Sequence, residues 1–151
     1  MQNLLILFNP YYQTDVIEQH HKQLIQNEKV AFGKIKSKLK NKSDVSNEEL
    51  EKIYSSTTSK DYLQLFLTDY SNIYVAKVEK ISSDDMSDFA PAYYKEKNLE
   101  VEQWFLITDI RELVRNNFET VRDDVLSNFI IPEFENHSYA IYGNKYVYLE
   151  R

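Results

Sequence analysis

Two residue types in this chain are placed to do chemistry. Aromatic side chains make up 14% of the 151 residues, twelve of them tyrosine. Several stand beside polar groups: Tyr11 and Tyr12 follow Asn9 and Pro10, Tyr93 and Tyr94 form a pair, and Trp104 is the single tryptophan. Flat apolar rings can stack a planar heterocycle while a neighbour such as Asn9 reads its edge. Trp104 is equally suited to anchoring a core, since tryptophan is large and mostly buried. Tyr139, Tyr142, Tyr146 and Tyr148 read as cross-strand packing on a hairpin. The second type is lysine, which recurs at every second position from Lys34 to Lys42. In an extended segment that spacing puts the ammonium groups on one side, so Lys34, Lys36 and Lys38 begin a stripe able to track phosphates. An edge strand guarded by lysine against unwanted pairing would look the same.

Other chemistries lack their residues. Cysteine is absent, which removes disulfides, thiolate metal sites and cysteine nucleophiles. Gly33 and Gly143 are the only glycines, too few for a dinucleotide fingerprint, a P-loop or a nucleophile elbow, each of which needs glycines close together. His20 and His21 are adjacent and diverge by about 100° on a helix, so with only His137 elsewhere no zinc site is expected. No lysine follows an acidic residue by two positions, as a restriction-type nuclease site would require. The best acidic constellation, Asp109 and Glu112 near Tyr94, has the spacing of helix caps. No catalysis, metal or cofactor is expected.

The charge is asymmetric. Residues 1–42 carry a balance of +4 within a net of −6, leaving −10 for the rest. An acidic surface of that size repels a polyanion at long range and supports a rival reading, a protein–protein interaction or recruitment domain of a larger ATP-driven or signalling protein. The longest apolar run, Leu4 to Phe8, is far short of the roughly 20 residues that cross a bilayer. No basic segment precedes it and no small-residue cleavage site follows, so the expected location is cytoplasmic, without membrane contact.

One domain over residues 1–151 suffices for this length. The chain stops in what reads as a strand, Leu149-Glu150-Arg151, which suggests an excised N-terminal domain of a longer protein. Leu4 to Phe8 predicts a strand buried on both faces, with Leu5 and Leu7 in the core. Asp15 and Glu18 have capping-box spacing and open a helix to about residue 27 that carries His20 on its apolar side as a packed histidine. Val30 to Lys36 reads as a strand. Ser46 and Glu49 cap a short helix with Leu50, Ile53 and Tyr54, inside a polar loop over 37–60. Tyr62 to Thr68 alternates, with Leu63, Leu65 and Leu67 on one face, and forms a hairpin with Ile73 to Ile81. Val101 to Thr108 is another strand, with Ile107 in the core, after which Asp109 and Glu112 cap a helix with Ile110, Leu113 and Val114. Phe118, Val121, Val125 and Phe129 continue a helical face. Tyr139 to Tyr142 and Lys145 to Leu149 flank Gly143-Asn144 as a final hairpin. The sum is an α+β domain: a small curved, mostly antiparallel sheet or barrel with helices outside it.

Three segments give this order a likeness: Phe8-Asn9-Pro10-Tyr11-Tyr12 after a buried strand, the hairpin of Leu65-Phe66-Leu67 with Ile73-Tyr74-Val75-Ala76-Lys77-Val78, and Trp104-Phe105-Leu106-Ile107-Thr108-Asp109-Ile110 passing from strand to helix. Over most of its length the chain resembles the PUA-like superfamily, and its EVE and YTH branch in particular. The resemblance implies a small barrel that binds DNA or RNA and holds a modified or flipped base in an aromatic pocket, in some members as the reading head of a McrB-like modification-dependent restriction protein. Asn9, Tyr11, Tyr12, Tyr94 and Trp104 are then the pocket candidates and Lys34, Lys36 and Lys38 the phosphate contacts.

Overall fold

The computed structural model describes residues 2–8, 13–35, 52–53, 55–68, 72–112 and 138–141. Among the described residues six strands form one sheet: β1 (Gln2–Leu7), β2 (Val30–Ile35), β3 (Leu63–Thr68), β4 (Ile73–Ser82), β5 (Val101–Glu112) and β6 (Ser138–Ile141), in the spatial order β2-β5-β4-β3-β1-β6. Only β1 and β3 pair in parallel; every other neighbour is antiparallel. Register shifts at Lys34/Ile35 in β2 and at Lys77/Val78 and Val78/Lys80 in β4 are bulge-type irregularities that bend a strand and increase its twist.

The continuous apolar run of β1 has its reason in position, because β1 lies between β3 and β6 and Leu4 and Ile6 are fully buried. The side chains of Leu5 and Leu7 lie outside the described residues. Leu63, Leu65, Val78 and Ile107 are fully buried, as expected. β3 departs from its alternating pattern, being buried at all six positions, Gln64 and Thr68 included. The Thr68 hydroxyl donates to the Asn72 carbonyl at 2.7 Å, which ties the ends of the β3–β4 turn together.

Helix α1 (Val16–Asn27) lays Val16 and His20 on the sheet and ends at Glu28, whose backbone is left-handed with φ 66° and whose N–H donates to the Leu24 carbonyl at 2.8 Å. The expected capping box does not form. The Asp15 carboxylate makes no cap hydrogen bond and accepts from the amides of Gln13 and Gln19 instead, which holds its pKa below the ordinary carboxylate value. Of the helix expected near Ser46 and Glu49, Lys52, Ile53, Ser55 and Ser56 are helical, with Ile53 in the core; its proposed caps fall outside the described residues, as do Leu113, Val114, the 118–129 face and the Gly143-Asn144 turn. Tyr139 lies on β6 opposite Leu5.

A larger correction concerns Asp109 and Glu112. They cap no helix: β5 runs unbroken to Glu112, and Ala76↔Ile110, Lys77↔Asp109 and Tyr74↔Glu112 are cross-strand pairs. Pairing along the whole of β4 outweighs the local capping preference of two acidic residues, and it buries Ile110. No helix among the described residues is long and apolar enough to cross a membrane.

Among the described residues, two clusters lie on opposite faces of β2 and β5. Val30, Phe32, Phe105 and Ile107 join Leu4, Ile6, Leu65 and Val78 in the main core beneath α1. Ala31 and Trp104 point the other way, into a smaller cluster with Met86, Ala90, Tyr93 and Tyr94. Period-two alternation along the strands makes this division.

Leu65 is fully buried between β1 and β4, so Leu65→Ala should lower unfolding free energy by about 2–5 kcal/mol. Urea denaturation followed by circular dichroism measures it; a loss below about 1 kcal/mol would place Leu65 outside the tightly packed core.

Candidate functional site

The smaller core is built around a missing side chain. Gly33 of β2 lies directly across from Trp104 of β5, and a Cβ on Gly33 would stand 2.9 Å from Trp104 Cζ3, Tyr94 Cε1 and Val101 Cγ1 at once. Glycine inside a strand commonly marks such a close approach. The space admits the ring of Tyr94, which reaches in from α2 (Tyr93–Glu96), a single helical turn following Pro91 and Ala92. The ring centroids of Tyr94 and Trp104 are 5.1 Å apart with planes at 60°, an edge-on contact, and Tyr93 stacks on Tyr94 at 4.4 Å.

The Tyr94 hydroxyl is fully engaged. It accepts from the Gly33 N–H at 3.0 Å and meets His20 Nε2 at 3.0 Å, while His20 Nδ1 lies 2.7 Å from the Val16 carbonyl. A carbonyl can only accept, so Nδ1 carries the proton, Nε2 is an acceptor, and Tyr94 donates to it. His20 is therefore the packed histidine expected, and burial lowers its pKa from 6.5 to about 4. Burial also raises the pKa values of Tyr93 and Tyr94, keeping both phenols protonated.

Beside this cluster opens a cleft of about 280 Å³. Tyr94, Val101 and Trp104 form its apolar part; Asp85, Ser87, Lys95 and Asn98 supply polar groups, with Leu99 between. Tyr94 and Trp104 are only 4% and 5% exposed, so they line the cleft from within the core. Trp104 is thus both core anchor and cleft wall. The Ser87 N–H donates to Asp85 Oδ1 at 2.8 Å, and hydrogen bonds from the Ser87 side chain and then its backbone lower the Asp85 pKa, so its carboxylate is an ionised acceptor. Lys95 is paired with Asp88 at 2.6 Å across the surface. Asn98 has φ 50°, a left-handed conformation asparagine tolerates, and the turn there carries the chain from α2 into β5.

Of the residues singled out from sequence, Tyr94 and Trp104 meet at this cleft. Asn9, Tyr11, Tyr12, Lys36 and Lys38 lie outside the described residues. Lys34 departs from the expected stripe: its side chain is 3% exposed and its ammonium is 2.8 Å from Glu102. Among the described residues β2 stands at the end of the strand order, and Lys34, buried and paired there, is poorly available to a polyanion. Asp85, Ser87, Lys95 and Asn98 were not foreseen; they sit in loops and a one-turn helix with no periodic signal. Gly33 had a signal, as one of only two glycines and inside a strand pattern.

A protein-family model described as Pua-like matches residues 9–150. The chain belongs to the Pua-like family. Its α+β architecture is a small Pua-like fold, and domains of this family commonly bind RNA or DNA. The strand-to-helix passage at Asp109 that contributed to the likeness is continuous strand here. Neither a curated protein nor a solved structure matches the chain.

Two outcomes follow from this packing. Gly33→Ala should cost about 1–3 kcal/mol by overpacking and shift the emission of Trp104, the only tryptophan; a variant of unchanged stability and emission would contradict the close approach. The folded state keeps His20 neutral down to about pH 4, whereas an unfolded chain protonates it near 6.5. The unfolded state thus binds more protons in that window, and stability should fall by up to about 3 kcal/mol as pH drops through it. Urea titrations at several pH values should show this slope in the wild type and its loss in His20→Gln.

Proposed function

We propose that this chain is a nucleic-acid-binding module that seats a single base in the Tyr94–Trp104 cleft. The observation carrying this reading is the cleft itself: about 280 Å³, walled by two aromatic rings, with an ionised carboxylate, a serine and an asparagine around it. A base drawn out of its strand needs an apolar slot and a few polar groups for its edge. Asp85 accepts from base N–H groups, and Ser87 and Asn98 can both donate and accept. The family's common association with RNA and DNA supports the same reading. Lys36 and Lys38, together with Tyr11, Tyr12 and Asn9, are proposed as further contacts to the strand. The reading extends to a modified base and to the EVE and YTH type, including a McrB-like reading role, and to a binding rather than catalytic domain.

Because Trp104 is the only tryptophan, its emission reports the cleft directly. Single-stranded DNA and RNA, with and without a methylated base, should quench it on binding. Asp85→Ala and Asn98→Ala, on exposed residues, should weaken base-dependent binding while leaving the fold intact. Lys36→Ala and Lys38→Ala should each reduce the salt slope of affinity by about one unit without altering base preference. Absence of binding at low salt, or binding that neither quenches Trp104 nor responds to Asp85, would refute the cleft as the base site.

A further inference from the structure

We infer that His20, on the far side of Tyr94 from the cleft, is a positioning residue for the base site: its imidazole holds the Tyr94 wall through a directed hydrogen-bond chain, and its protonation state regulates binding. The inference rests on the cleft being the ligand site. The chain runs from the Gly33 N–H to the Tyr94 oxygen, from the Tyr94 hydroxyl to His20 Nε2, and from Nδ1–H to the Val16 carbonyl, with separations of 3.0, 3.0 and 2.7 Å. It thereby links α1, α2 and β2 at the Tyr94 ring, whose other neighbour is Trp104 of β5. Besides His20, the Tyr94 hydroxyl has the Gly33 carbonyl at 3.5 Å and the Tyr93 hydroxyl, to which it is hydrogen-bonded, as alternative acceptors.

These contacts define two arrangements. With neutral imidazole, Tyr94 donates to His20. With imidazolium, Nε2 becomes a donor and no longer accepts, so the Tyr94 hydroxyl must turn its proton away from His20, toward the Gly33 carbonyl at 3.5 Å or the Tyr93 hydroxyl. The ring bearing that hydroxyl packs against Trp104 and lines the cleft. Phe32 faces the imidazole from β2, and Tyr93 and Tyr94 from α2; none of these is charged. Asp15, the acidic residue before α1, is occupied by Gln13 and Gln19. Burial acts on the imidazole without any charged group opposing it, so the neutral arrangement holds until the pH is well below neutral.

The test measures binding of a fluorescein-labelled, mixed-sequence single-stranded DNA by anisotropy, and the emission of Trp104 in the ligand-free protein, across pH 7 to 4. His20→Phe, which keeps a ring but removes the acceptor, should weaken binding by about three- to tenfold. His20→Gln, whose amide can accept from Tyr94 and donate to Val16, should restore most of it. Tyr94→Phe should lose at least as much as His20→Phe, because it also leaves the Gly33 N–H without its acceptor, and the double variant should show no loss beyond that of Tyr94→Phe, because the His20 contact is already gone. In ligand-free protein the wild type should show a change in Trp104 emission as the pH approaches about 4, and His20→Gln should not. Wild-type affinity in folded His20→Phe, additive losses, or identical pH profiles for wild type and His20→Gln would overturn the inference. Should His20→Phe fail to fold, His20→Gln, Tyr94→Phe and the pH profiles decide it. Should the wild type bind no DNA, the base-site reading fails separately, and the emission profiles alone decide whether His20 controls the Tyr94 wall.

Discussion

The close approach at Gly33 is the constraint on which the site depends. A Cβ there would meet three side chains at 2.9 Å, and Tyr94, Trp104 or Val101 would have to shift. With only hydrogen on the α-carbon, the edge of the sheet accepts a second small core on the face away from α1. The cleft exists because that second core closes incompletely, leaving a gap between α2, the Asp85–Ser87 loop and the start of β5.

The same approach explains why a histidine is tolerated in the main core. His20 has no charged partner, and its burial would be costly if either ring nitrogen went unbonded. Tyr94 supplies the missing donor only because Gly33 lets the phenol reach across β2. Sheet packing, aromatic packing and polar satisfaction thus converge on one tyrosine, whose ring faces the cleft and whose hydroxyl faces the core. Such a shared residue couples the two faces of the sheet, since moving the ring breaks the polar chain and breaking the chain frees the ring.

Charge is distributed in keeping with this geometry. Lys34, which by spacing begins a basic stripe, is drawn into an ion pair with Glu102 on the adjacent strand, so the sheet edge is neutralised where it meets the second core. At the cleft, one carboxylate held by the Ser87 backbone N–H stands beside a lysine committed to Asp88. That arrangement suits a neutral ligand with hydrogen-bond donors better than an anionic one, and it places any recognition of phosphate elsewhere on the molecule.

Sequence alone determined the architecture class and most strands, because β-branched and leucine-rich runs such as Leu63–Leu67 and Ile73–Ile81 carry a period that local physics imposes. It named Tyr94 and Trp104 among several candidate aromatics, Tyr11, Tyr12 and Tyr93 with them, and it read His20 as packed. Tertiary structure decided what depends on contacts distant in the chain. Asp109 and Glu112 have the local spacing of a cap, yet pairing with β4 makes them strand. Gln64 and Thr68 look solvent-facing by alternation, yet both are buried. Lys34 looks like a phosphate contact, yet Glu102 lies 68 residues further along and 2.8 Å away. The cleft combines residues from 85 to 104 around a gap left by Gly33, and no local pattern encodes a gap; it arises from how three elements pack around an absent side chain.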